Sequence, residues 1–527
     1  MSKHTAPARR AVPASRAGTA GKTVPADSTA PADSTAPAGR PGGSGPRGFT
    51  GAGNGASTVL ASPQLWRGTT VQVCGLWPFT TAAGTPLAGA PLGPNLKTGA
   101  MVCFDPITWF RLGILSNPSQ FVFSLNGRGK STLVRHQLVI VDAFGNIPLV
   151  LGDLKPDYVL LIRQLGGQVI ECGPGRGGLN ILDQKEAADA ATRLEAAGHI
   201  KLANQVRADS QARRASMVSA LISIARNDTL TDQEDTMIER AIGVLDEKHP
   251  GTPELSDLLA VVTQGPQELR EVALDDGDET VYRQVTRGLR ASLTSLVTGG
   301  RLGTMFSTPA SQQMRRDQPV VFDVSSIPEA RSDMAAAALL ACWSTGFGVV
   351  NAAHALADAG LEPERHYWIV MDEMWRALRA GHGMVDRLDA LTRLNRTTGT
   401  GHTFITHSIS DLLALPDEAD RLNARGMIER AGAVIMGALP ASEMELLTQT
   451  VKLTQAEQAE LISWSGQETW GRTQTRSVVP GRGQFMIKIG GRPGIPFMLQ
   501  LTPEELEAND TNQRWHQASR IGRVEAT

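Results

Sequence analysis

An α/β fold on a parallel sheet, with an all-helical insertion and a disordered N-terminal tail, follows from three features of this 527-residue chain. Short apolar runs bounded by turn residues alternate with segments of helical periodicity. From residue 184 to 298 strand character is lost and long helical runs take over. Finally, two apolar runs end in charged chemistry: one in a glycine loop carrying Lys130, the other in the acid pair Asp372-Glu373.

Residues 1–58 are Ala, Pro, Ser, Gly and Thr with almost no large apolar side chains, and Pro-Ala-Asp-Ser-Thr-Ala occurs twice, at 25–30 and 31–36. Such a stretch buries too little surface to offset chain entropy, which predicts a disordered tail. Its first fifty residues hold seven Lys/Arg against two Asp, whereas the whole chain balances at −2. No global basic field argues for tight nucleic-acid binding. The four cysteines, Cys74, Cys103, Cys172 and Cys342, are scattered without a Cys-x-x-Cys pair. This is the pattern of a reduced intracellular protein without a structural zinc site.

From about 66 to 120, Val71–Cys74 and Ala100–Phe104 read as short strands leading toward the glycine loop. The loop lies in Phe121-Val-Phe-Ser-Leu-Asn-Gly-Arg-Gly-Lys-Ser-Thr-Leu-Val134. A buried strand runs into two glycines, and Gly129-Lys130-Ser131-Thr132 opens a helix. That is the order of a Walker A phosphate loop. Backbone amides of Asn126, Gly127, Arg128, Gly129, Lys130, Ser131 and Thr132 would cradle phosphates at a helix N-terminus. Lys130 would reach the β- and γ-phosphates of ATP, and Ser131 would offer its hydroxyl to Mg²⁺. Ser124 stands where the pattern has its first glycine; serine fits there if its φ stays negative.

After the loop's helix, Ile147–Asp153 reads as a strand ending on a carboxylate, and Gln168–Cys172 as another. In the helical stretch, Val281, Val285, Leu289, Leu293 and Val297 recur at four-residue spacing before Gly299-Gly300 stops them. Strands resume at Pro319–Asp323. Met334–Ala353 is twenty residues without a charge, long enough to span a bilayer. It is mostly alanine and is interrupted by Ser344, Thr345, Gly346, Gly348 and Asn351, so a helix buried against a sheet is the reading. His366-Tyr-Trp-Ile-Val-Met-Asp372-Glu373 then delivers two acids at the end of a buried strand, as in Walker B. Asp372 would hold the Mg²⁺ shell, and Glu373 would polarise the attacking water as general base. Met384–Arg396 is amphipathic. His402–Ser408 reads as a further core strand whose polar end lies where such motors keep a γ-phosphate sensor; His407 or Thr406 fits, the other possibility being a histidine that caps the next helix. Arg393, Arg396, Arg425 and Arg430 are candidates for a charge-neutralising finger, in cis or from a neighbouring subunit. Ala433–Met436, a helix from Gln455 to Trp464, and two strands, Gln484–Ile489 and Pro496–Leu501, joined by a Gly-rich turn, complete the chain.

In this order the motifs resemble the traffic ATPases of conjugation and type IV secretion, the TraC-type relatives in the FtsK/HerA group. Gly152-Asp153-Leu-Lys155-Pro-Asp157-Tyr158 is similar to that family's Asp-x-Lys-Gly-Glu-Tyr. Gly178-Leu-Asn180-Ile-Leu-Asp183 is similar to its Asn-Pro-Leu-Asp, and Asp372-Glu373-Met374-Trp375 to its Asp-Glu-Ala-Trp. Gly481–Leu501 resembles its Gly-rich closing strands. Departures are Ser124, Pro156 in place of a glycine, and Thr406-His407-Ser408 where the family usually has glutamine. The resemblance implies a RecA-like P-loop ATPase sheet in two parts, residues 59–183 and 301–505, around a helical insertion at 184–300, with tails at 1–58 and 506–527. It implies an ATPase with Glu373, Lys130 and His407 as catalytic residues and ATP and Mg²⁺ as cofactors. The implied assembly is a hexameric ring, cytoplasmic or peripheral at the inner face of the membrane. Its partners would be membrane-embedded channel components, and DNA or a DNA–protein complex. A DNA-translocating coupling protein and an ATP-binding scaffold with little turnover are the alternative readings.

Overall fold

In the computed structural model the chain divides into two units, Met1–Pro78 and Phe79–Thr527. The structure describes residues 85–300, 302, 304–379, 385, 399–415, 417–466 and 479–508, all in the second unit. The expected tail at 1–58, the strand at Val71–Cys74, nearly all of Met384–Arg396 with Arg393 and Arg396, and the tail beyond Ala508 lie outside these residues.

Eleven strands are described: β1 (Pro91–Pro94), β2 (Met101–Cys103), β3 (Ser119–Phe123), β4 (Ile147–Asp153), β5 (Gln168–Glu171), β6 (Val320–Asp323), β7 (Tyr367–Met371), β8 (Thr400–Thr406), β9 (Ala433–Met436), β10 (Gln484–Lys488) and β11 (Ile495–Met498). β1 and β2 form a small antiparallel pair; the other nine make one sheet in the order β11-β10-β9-β3-β8-β7-β4-β6-β5. From β5 to β9 neighbours run parallel, and β10 and β11 add an antiparallel hairpin at the far edge. Every residue of β3, β6, β7, β8 and β9 is buried. A sheet covered on both faces produces such continuous apolar runs.

Alternation along the strands splits the core into two layers. Phe121, Phe123, Leu149 and Leu151 face a layer built from the helical segment and the alanine-rich helix. Val122 and Val150 face the other layer, with Leu133, Val134 and Leu138 of the helix that follows the glycine loop. Seven helices lie between Lys185 and Val297. The four-residue repeat from Val281 to Val297 forms two of them, Glu279–Val285 and Arg287–Val297, separated at Thr286. Tyr282, not Val281, turns inward there, because its hydroxyl donates to the Val262 carbonyl at 2.7 Å; Val281 is left partly exposed.

The alanine-rich run is one helix, Ser332–Asp358. By length and composition it could cross a membrane, and 78% of its most apolar window is buried inside the fold. Small residues let it lie close to the sheet: a Cβ on Gly346 would stand 2.5 Å from Leu151. Cys172 and Cys342 are fully buried in this layer.

Candidate active site

The glycine loop joins β3 to the helix Lys130–Ala143. Gly127 and Gly129 take φ of +73° and +101°, the left-handed backbone that closes the loop and that side chains disfavour. Ser124 is not among the described residues with positive φ, so serine meets the condition set for it. It is fully buried. Room for its hydroxyl comes from Gly437, just after the neighbouring β9, where a Cβ would lie 2.4 Å from Ser124 Oγ. Lys130 turns back onto the loop, donating to the Ser124 carbonyl at 2.6 Å and the Leu125 carbonyl at 3.3 Å. Burial pulls its ammonium down to about 8, against the attraction of Asp372 and Glu373.

Two strand ends bring acids to the loop. At the end of β4, Asp153 accepts from the amides of Tyr158 at 2.7 Å and Asp157 at 3.0 Å, which folds the turn that carries Lys155 and Asp157. Asp157 in turn accepts from the Ser131 hydroxyl. At the end of β7, Asp372 accepts from the Tyr158 hydroxyl at 3.2 Å and the Glu373 amide at 2.8 Å. Burial first, then the nearby Glu373 and Asp157, pushes its carboxyl up to about 7; Asp153 is also raised to about 7, chiefly by burial.

Glu373 is buried and holds φ +53°. A non-glycine residue in that region costs about 1–2 kcal/mol. Its Oε1 receives Lys155 Nζ and His407 Nε2, each at 3.1 Å, and its Oε2 the Trp375 indole at 2.7 Å. Burial alone would raise this carboxyl, but the hydrogen bonds and charges of His407 and Lys155 outweigh it and hold it well below the usual range.

Asn126, Gly127, Arg128, Gly129, Lys130, Ser131 and Thr132 border one cleft of about 660 Å³ together with Asp372, Glu373 and His407. Arg128 contributes backbone only: its guanidinium donates to the carbonyls of Pro480 and Gly466, and its own carbonyl accepts from Gly483. Of the two sensor candidates, His407 reaches the cleft, whereas Thr406 is buried in β8 with its hydroxyl on the Ser408 carbonyl. Ser408, not His407, caps the next helix. Arg425 and Arg430 do not border the cleft of their own chain; Arg425 is engaged with Glu429 and the Gln449 carbonyl. Lys155, Asp157, Tyr158 and Trp375 received no role from the sequence, although each lies inside a motif quoted above.

Positive-φ glycines, a helix N-terminus and a desolvated ammonium suit the phosphates of a nucleoside triphosphate. Among the described residues no group of three or more His, Cys, Asp or Glu stands ready for a metal. Ser131 and Asp372 place two oxygen donors in one cleft, a set that fits Mg²⁺, which takes few protein ligands and completes its shell with phosphate and water.

Fold and site together define a P-loop architecture on a parallel-rich α/β sheet. No protein-family model matches the chain, and no curated protein does. Among solved structures, VirB4 of Thermoanaerobacter pseudethanolicus superimposes with a TM-score of 0.56 at 18% identity, over 80% of this chain and all of that one. This chain has the fold of VirB4, a parallel-rich α/β sheet with helices on both faces. The bacterial conjugative coupling protein TrwB matches more distantly. With a non-hydrolysable ATP analogue it gives a TM-score of 0.46 at 14% identity, and with ADP and Mg²⁺ 0.43 at 13%; both cover 73% of this chain and 86% of TrwB.

Proposed function

We propose that this chain is an ATP-hydrolysing motor that energises conjugative transfer or type IV secretion, at channel assembly or substrate loading. One observation carries the reading: on a fold shared with VirB4, Lys130 and Ser131 face Asp372 and Glu373 across a single cleft. The loop amides and Lys130 hold the β- and γ-phosphates. Ser131 and Asp372 would hold Mg²⁺, which would supply neutralisation of phosphate charge. Glu373 accepts the proton of the water that attacks the γ-phosphorus as the bond to ADP breaks. A carboxylate oxygen already engaged by Lys155 and His407 is a weak base, so Glu373 must exchange partners first; the γ-phosphate competes for Lys155 and His407. By the same reading the motor works as a hexameric ring in the cytoplasm or at the inner face of the membrane, against channel components embedded there, with DNA or a DNA–protein complex as a further partner.

The engagement of Glu373 favours a second reading, a scaffold that binds ATP and hardly turns it over. Steady-state ATP hydrolysis by the full chain, with and without single- and double-stranded DNA and beside Lys130→Ala, separates these. Turnover that vanishes in the variant and ignores DNA is expected. A many-fold rise with DNA that weakens steeply with salt would replace the reading with a DNA translocase. ATP binding without turnover would leave the scaffold.

A further inference from the structure

From Met334 to Val350 every residue of the alanine-rich helix is buried except Ser344, Thr345 and Gly348. These three share one helix face, four and three residues apart. They open into a cavity of about 80 Å³ between this helix and the helix Ile200–Arg226. Arg213 reaches into it from the second helix. A Cβ on Gly348 would stand 3.0 Å from the Arg213 guanidinium, so the glycine makes the room in which that group lies.

Arg213 has no hydrogen bond or ion pair among the described residues. The contrast with its neighbour is sharp: Arg214 makes a two-pronged pair with Asp246 at 2.8 and 2.6 Å. Asp209, one turn earlier, acts on Arg213 only at longer range, and burial pulls its guanidinium down to about 10. A guanidinium with no carboxylate bonded to it, facing two hydroxyls across a cavity, has donors free for an anion.

We propose that this cavity binds a carboxylate, with the planar fork of Arg213 on its two oxygens and the Ser344 and Thr345 hydroxyls as further donors. The carboxylate geometry matches the guanidinium fork. The volume suits a carboxylate head and little more. Asp183 and Glu186 line the same cavity, which disfavours a doubly charged phosphate. A ligand here would join the helical segment to the helix that leads into β7 and the acid pair, apart from the nucleotide cleft.

The test is a thermal-unfolding titration of the full chain with sodium acetate against sodium chloride at equal ionic strength. Inorganic phosphate and the capped peptide acetyl-Gly-Glu-Gly-amide are run alongside. Acetate is expected to raise Tm by a few degrees and to saturate. The effect should weaken by about tenfold or more in apparent affinity in Arg213→Met. Gly348→Ala keeps the arginine, fills the space beside it and should weaken binding as well. A response to the peptide equal to that of acetate assigns the site to an acidic side chain, and acetate alone assigns it to a free small acid. A response no different from chloride, a stronger one to phosphate, or full retention in both variants would overturn the proposal.

Discussion

Lys155 Nζ lies 3.1 Å from Glu373 Oε1, so the turn after β4 is joined by an ion pair to the acid that ends β7. The two residues are 218 positions apart in the chain. Adjacency of β4 and β7 in the sheet brings them together, and the pair sits on the carboxylate proposed to accept the proton of water.

Glu373→Gln should therefore lower ATP hydrolysis by about 10²–10⁴-fold while nucleotide affinity changes little. A fluorescent-nucleotide titration beside a phosphate-release assay reads both. Retention of the wild-type rate would move the general base elsewhere.

Binding of Mg²⁺ and nucleotide should be tightest in a narrow pH range. Asp372 carries a proton below about 7, which competes with the metal, so affinity falls as pH drops through that value. Lys130 loses its charge above about 8, so the hold on the phosphates falls as pH rises through it. Calorimetric titrations across these limits would show a bell-shaped dependence, and Asp372→Asn should weaken binding, remove the acid limb and move the basic limb to lower pH. A flat profile would refute the assignment.

Lys488 and Glu457 form a buried pair at 2.8 and 2.9 Å, and Glu457 also accepts from the amides of Gly494 and Thr454. Glu457→Ala strands a buried ammonium and should cost about 3–5 kcal/mol by denaturant unfolding. The double change Glu457→Gln with Lys488→Met should cost clearly less. Equal losses would show that hydrogen bonding, not charge pairing, dominates.

His136, on the helix after the glycine loop, meets Glu505 at 2.7 Å and the Pro91 carbonyl at 2.8 Å. Burial lowers the imidazole, but these partners outweigh it and leave it above its ordinary 6.5; Glu505 is lowered by the same pair, against its own burial. A raised base stabilises the fold fully below its unfolded value and loses that contribution as pH rises through the folded one. The lowered acid loses its part as pH falls through its own folded value. His136→Gln should flatten the decline of Tm with rising pH in the neutral range; an unchanged slope would contradict the pairing.

The sequence revealed most clearly what local pattern determines. β4 and β9 span the residues read for them, because each is an apolar run bounded by turn residues. The glycine loop and the acid pair were legible for the same reason. β1 was not. It is Pro-Leu-Gly-Pro, a poor strand by composition, and it is held from outside: the Gln500 amide donates to the Leu92 carbonyl at 2.9 Å. The roles of Lys155, Asp157 and Tyr158 were equally hidden, since no periodicity tells which strand ends become neighbours. The break at Thr286 escaped because Tyr282 follows a hydrogen bond to Val262 rather than the four-residue repeat.

The tie between Arg128 and the Pro480 carbonyl, 352 positions along the chain, sets an order of events during synthesis. The glycine loop leaves the ribosome well before one wall of its cradle, which is translated 352 residues later. Until that wall arrives, the flank beside Gly129 that Gly483 and Phe485 cover is open. The cleft is thus completed only after a segment far downstream of its defining sequence has been made.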